Sequence, residues 1–129
     1  MILVDSSVWI DYFRGTITPQ TNKLNEVLGR QILAVGDLIL TEVLQGFPSD
    51  KDFNEAMRVR DSLTVVELGG RNIALQAANN FRELRKRGVT VGKTIDSIIA
   101  TRCIEGWYEL LHDDRDFDGY AKHLGLRVV

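Results

Sequence analysis

The chain opens on a short apolar run, Ile2-Leu3-Val4, that stops at Asp5. Apolar runs of this length bounded by a polar residue read as buried strands. Ser6 and Ser7 are favourable helix starters. Val8, Trp9, Tyr12 and Phe13 then recur at helical spacing until Arg14-Gly15 ends the pattern. Thr18-Pro19 opens a second helix, with Leu24, Val27 and Leu28 on one face and Gly29 near its end. Gln31 to Val35 reads as a short strand, and Gly36-Asp37 starts a third helix with Leu40, Val43, Leu44 and Phe47 as its stripe, closed before Pro48.

Ser49-Asp50 restarts helix to about residue 62, and the β-branched run Leu63 to Leu68 is punctuated by Gly69-Gly70. Residues 71–87 form a long helical pattern with Ile73, Ala74, Ala77, Ala78, Phe81 and Leu84 inward, capped by Gly88. Thr94 to Glu105 is another helix between Gly92 and Gly106. A strand over Trp107 to Leu111, a last helix over Asp113 to Leu124 and a final strand over Leu126 to Val129 complete the reading. Short apolar strands alternating with helices, without hairpin signals, predict an α/β fold: a parallel central sheet flanked by helices on both faces. Without a repeat, low-complexity stretch or linker, residues 1–129 read as one domain.

Composition narrows the chemistry. The chain has 129 residues, 44% hydrophobic and 26% charged, and a formal charge of −2, so no overall basic field gathers nucleic acid. One cysteine, Cys103, and two histidines, His112 and His123, are too few for a nitrogen–sulfur zinc site. A catalytic metal would have to sit on oxygen, which points to magnesium or manganese. No apolar run reaches the length of a membrane span, and the opening residues lack the pattern of a signal peptide, so a cytoplasmic protein without membrane contact is expected.

The acids then change the picture. In open α/β sheets ligands bind outside the carboxyl ends of the strands. The first strand ends at Asp5 and the fourth in His112-Asp113-Asp114-Arg115-Asp116, on one edge if the two are parallel. Asp96 has Ile99, Ala100 and Cys103 on its own helix face, and Glu42 follows Leu38 and Ile39, so both lie beside core positions. A carboxylate there is costly unless it is paired or binds metal, and Lys93 is the only nearby cation. Clustered carboxylates repel by roughly 4 kcal/mol per close pair at an effective dielectric of 20. A divalent cation turns that repulsion into a site able to activate water and stabilise the leaving oxygen of a phosphodiester.

Each acid also has a structural reading. Asp5, Asp113 and Asp114 suit helix caps, Asp96 a partly exposed flank, and Glu42 open solvent. The basic residues Arg82, Arg85, Lys86 and Arg87 form either an RNA track or, as preferred here, a solvated helix end. Cys103 reads as core and His112 as strand-end packing. Trp9, Tyr12 and Phe13 divide between core and a partner surface.

Four segments resemble one family. Met1-Ile-Leu-Val-Asp-Ser-Ser-Val-Trp-Ile-Asp is similar to the opening of VapC-type PIN-domain toxins, and Leu40-Thr-Glu-Val-Leu-Gln-Gly to their second acidic motif. Thr94-Ile-Asp-Ser-Ile-Ile-Ala resembles the third and Leu110-Leu-His-Asp-Asp-Arg-Asp-Phe the fourth, in family order along the chain. The resemblance implies a PIN-like fold and a Mg2+- or Mn2+-dependent endoribonuclease acting on structured RNA such as transfer RNA. It also implies a homodimer inhibited by a small VapB-type antitoxin that inserts residues into the active-site groove. It assigns acid roles to Asp5, Glu42, Asp96 and Asp114, with Asp116 as a further metal ligand, and places a small polar residue, Ser6 or Ser7, beside the first acid. Because residues two apart on a helix do not share a face, Asp116 is expected to point aside while Asp114 serves the site.

Two other classes fit parts of the pattern. A receiver-like phospho-acceptor domain also uses acids and magnesium, but it needs an acid pair after the first strand and an acceptor aspartate mid-chain, where Gly69-Gly70 stands. A non-catalytic PIN-fold RNA- or protein-binding module would keep the fold and leave four inward acids without a use.

Overall fold

The computed structural model describes residues 1–129. In chain order the elements are β1 (Ile2–Val4), α1 (Ser6–Arg14), α2 (Pro19–Val27), β2 (Leu33–Gly36), α3 (Asp37–Gln45), α4 (Asp50–Arg60) and β3 (Leu63–Val66). They continue with α5 (Arg71–Lys86), α6 (Thr94–Gly106), β4 (Glu109–Leu111), a 3-10 turn (Arg115–Phe117), α7 (Asp118–His123) and β5 (Arg127–Val128). All strand pairs are parallel, in the order β3-β2-β1-β4-β5.

That order explains the strand compositions. β1 and β2 lie inside the sheet and are buried at every position, whereas the edge strands β3 and β5 expose Thr64, Val65, Arg127 and Val128. A strand covered on both faces must be continuously apolar, and Ile-Leu-Val and Leu-Ala-Val-Gly are. Helices pack in two groups, α1 with α2 and α3, and α5 with α6 and α7. One core runs through the sheet between them. Val8, Trp9, Leu24 and Ile39 contribute from the first group and Leu84, Ile99, Cys103 and Tyr120 from the second.

The topology also fixes where a ligand can bind. From β1 the chain steps outward to β2 and β3, then returns to lay β4 on the other side of β1. The direction of winding reverses between β1 and β4, and the crevice outside their carboxyl ends is the usual binding place of such sheets. Register pairs Val4 with Leu111, and Asp5 N–H donates to Leu111 O at 2.9 Å. Asp5 and the residues after Leu111 therefore leave the sheet side by side. The receiver arrangement, 2-1-3-4-5, is a different strand order, which removes that alternative.

Two boundaries differ from the sequence reading in ways that matter. The last helix starts at Asp118, not Asp113, and a separate 3-10 turn precedes it. Trp107 is not in a strand. It ends α6 in the left-handed conformation (φ 60°), a geometry glycine takes more readily, with the Arg127 guanidinium over its ring at 5.6 Å.

Candidate active site

Asp5 is 4% exposed. It caps α1, its Oδ2 accepting from Ser7 N–H at 3.2 Å and from Ser7 Oγ at 2.7 Å. The structural reading of this acid is thus correct as far as it goes, and it does not exhaust the residue. Ser7 Oγ in turn accepts from Asp113 N–H at 3.2 Å, so one hydroxyl joins the ends of β1 and β4. Of the two candidate serines, Ser7 is the one beside the acid. Burial pushes the Asp5 carboxyl above its usual range, against the opposing effect of the Ser7 bonds.

Asp96 sits in the first turn of α6 and is 7% exposed. Its Oδ2 accepts from Lys93 N–H at 3.0 Å. Burial raises its pKa, the Lys93 bond lowers it, and the charges of Asp114, Asp5 and Asp116 raise it further. The apolar spacing around Asp96 predicts a position beside the core, and the structure buries it there.

Asp114 and Asp116 correct the sequence reading. Asp114 is extended (φ −145°, ψ 120°) and caps the 3-10 turn, its Oδ1 accepting from Asp116 N–H at 2.9 Å. The helical-face rule that separated the two acids does not apply to a residue outside the helix. Asp116, expected to point aside, turns inward instead. One carboxylate oxygen each from Asp96, Asp114 and Asp116 lies within 4.8 Å of the others. A β-carbon at Gly92 would collide with the Asp116 side chain, so the absence of one leaves room for it.

Asp5, Glu42, Asp96 and Asp114 line one pocket with Ser6, Ser7 and Lys93, against Ile10, Ile39 and Ile99. Glu42, from α3, is exposed at its rim. Asp114 also belongs to an adjoining opening with His112, Asp113, Arg115 and Asp116. All five predicted acids therefore reach one continuous region, with three carboxylates closest together. His112 does more than pack: its ring lies 4.9 Å from Phe117, and its Nδ1 accepts from Asp114 N–H at 3.1 Å. Sequence reasoning missed a buried bond between Ser97 Oγ and Tyr120 OH at 2.6 Å, which ties α6 to α7. Nothing in the sequence pairs residues 23 apart on two different helices.

Other features fall outside the site. Cys103 is buried and its thiol is pushed up to about 12, chiefly by burial, so it is core and no nucleophile. In the basic run, Arg87 pairs with Glu83 at 3.1 Å and Arg85 lies over Phe81.

The donor set fits a hard divalent cation. It offers carboxylate oxygens near one another, from half-buried and buried acids, and burial first and the neighbouring negative charges second raise the pKa of Asp96. By class this is a parallel α/β domain with a carboxylate cluster at its switch point. A family model described as the PIN domain matches residues 2–123. The chain belongs to the PIN-domain family. Ribonuclease VapC11 of Mycobacterium tuberculosis is 29% identical over 131 residues, spanning 100% of this chain and 98% of that protein. Two crystal structures share the fold. VapBC2 from Rickettsia felis, bound to a DNA fragment from its promoter, has a TM-score of 0.76 at 15% identity, over 100% of this chain and 98% of that one. VapC20 of Mycobacterium tuberculosis, described as a sarcin-ricin loop cleaving toxin, has a TM-score of 0.66 at 13% identity, over 92% and 93%.

Proposed function

We propose that this protein is a Mg2+- or Mn2+-dependent endoribonuclease, the toxin of a VapBC-type toxin–antitoxin pair, acting on structured RNA such as transfer RNA. The observation that carries the reading is the convergence of the Asp96, Asp114 and Asp116 carboxylates within 4.8 Å, beside Asp5 in the switch-point crevice. Full-length similarity to a protein named as a VapC ribonuclease supports the choice of substrate class.

Asp5, Asp96, Asp114 and Asp116 are the residues that would hold the cation. When bound, it supplies a water of lowered pKa and a counter-charge for the phosphodiester oxygens. The remaining work is done by the chain. Glu42, exposed at the rim, or Asp114 beside it in the pocket, would orient the attacking water and take its proton as the water oxygen bonds to phosphorus and the P–O bond to the leaving ribose oxygen breaks. The leaving oxygen is reprotonated from solvent. Ser7 holds the Asp5 carboxylate in one orientation, and the Lys93 N–H does the same for Asp96.

The partner assignments belong to the same proposal. A groove in which Ile10, Phe13, Val43 and Phe47 lie beside the charged Arg14, Asp52 and Glu55 meets the carboxylate pocket at Ile10 and Glu42, which suits an antitoxin segment of mixed apolar and charged character that reaches the acids. The same proposal takes the toxin to be a cytoplasmic homodimer. No helix of the chain is long and apolar enough to cross a membrane.

Cleavage of bulk transfer RNA with millimolar Mn2+ tests the reading. Wild type should cut and Asp96→Asn should lose at least a hundredfold in rate. Expression alone should arrest growth, and a co-expressed antitoxin should restore it. RNA left intact by the wild type would make the non-catalytic module the better description.

A further inference from the structure

Lys93 is the single cation lining the carboxylate pocket. It stands at the N-cap of α6 and is exposed, and its backbone N–H is engaged with Asp96. Its ammonium nevertheless pairs with none of the acids around it. The ion pairs of the chain are Lys23–Glu26, Arg60–Asp61 and Arg87–Glu83. Asp5, Glu42, Asp96 and Asp114 line the same pocket, yet none forms an ion pair with this exposed side chain. The N-terminal end of the thirteen-residue α6 adds positive potential at the same place.

The pocket is a poor receptor for a polyanion without such a group. Four carboxylates repel a phosphodiester, the basic residues at the end of α5 contribute nothing to the lining, and Arg115 lines only the adjoining opening. We propose that Lys93 is the substrate-phosphate anchor of the site, its ammonium binding a non-bridging oxygen of an RNA phosphodiester at the pocket mouth. The assignment rests on the ribonuclease reading above. It makes Lys93 a substrate-binding residue whose charge opposes metal binding and favours RNA binding.

These opposite signs make the test specific. Lys93→Gln, Lys93→Arg and wild type are compared in two measurements: Mn2+ titrated calorimetrically into RNA-free protein, and cleavage of bulk transfer RNA at saturating Mn2+ across a salt series. Removing a nearby like charge should tighten Mn2+ binding by Lys93→Gln about two- to tenfold. The same variant should lose about tenfold or more in kcat/KM, mainly through KM, and its salt dependence should fall by about one phosphate contact. Lys93→Arg should keep most of the wild-type efficiency. A lysine that merely supports the Asp96 turn would weaken Mn2+ binding when replaced. That result, or unchanged cleavage by Lys93→Gln in the presence of an active wild type, overturns the anchor and leaves the ribonuclease reading standing. A wild type that cuts no RNA removes the reading and the anchor together.

Discussion

At the residue scale, Asp5 and Asp96 carry two roles that pull against each other. Each accepts hydrogen bonds that order its own turn, and each is a buried carboxyl with a raised pKa. A native pKa above the unfolded value of 3.8 means that the folded state binds the proton more tightly. The stability tied to that proton is fully present below the unfolded pKa and is lost as pH rises through the folded one. Without metal, Asp5→Asn should therefore melt above wild type, and the gap should widen from about pH 4 towards neutrality. A gap independent of pH, read by thermal melts in EDTA, would show that the charge carries no such cost. Asp114 and Asp116 have a related consequence. Since both carboxylates face Asp96, Asp116→Asn should weaken Mn2+ binding about as much as Asp114→Asn does, each by roughly tenfold or more. Much tighter retention by Asp116→Asn in a calorimetric titration would return Asp116 to a capping role.

At the element scale, α6 carries Asp96, and the 3-10 turn leading into α7 carries Asp116. A buried Ser97–Tyr120 hydrogen bond of 2.6 Å joins α6 to α7, the helix that follows this turn. Tyr120→Phe leaves the Ser97 hydroxyl without its partner and should cost about 1–3 kcal/mol, while Ser97→Ala/Tyr120→Phe together should cost less than the two singles summed. Denaturant unfolding measures this, and a strictly additive result would dissolve the tie. Periodicity alone disclosed most of these elements. The stripe Val8, Trp9, Tyr12, Phe13 and the cap Thr18-Pro19 mark α1 and α2, and the Thr18–Thr21 capping box confirms the second start. It failed at Asp113–Phe117 because acids favour helix N-termini, extended caps and metal sites alike, so their presence does not locate the first helical residue. It failed at Trp107 because an aromatic beside apolar residues scores as strand. Only the preceding helix reveals it as a left-handed end.

At the scale of the whole molecule, the site exists because distant segments share one edge. Residues from positions 5, 42, 96, 114 and 116 come from the ends of β1 and β4 and the starts or flanks of α3 and α6. A cation bridging them binds the folded chain and not the unfolded one. A hundredfold excess over Kd should then add about 2.7 kcal/mol to stability. Millimolar Mn2+ should raise the melting temperature of wild type by several degrees, and Asp96→Asn should blunt the rise. Equal shifts in both proteins would place the cation elsewhere.

The amino-acid sequence by itself determined the parallel α/β class, singled out the candidate acids and restricted any metal among them to oxygen ligands. Strands buried on both faces must be continuously apolar, helices must carry a stripe, and a chain with one cysteine and two histidines cannot build a soft site. The tertiary structure alone decided the strand order, which sets β1 against β4 and so opens the crevice. It alone turned Asp116 inward, brought Tyr120 to Ser97 and left the Lys93 ammonium unpaired. Each of these depends on contacts between segments far apart in the chain, and the local patterns of hydrophobicity and capping do not encode which distant surface a side chain will meet.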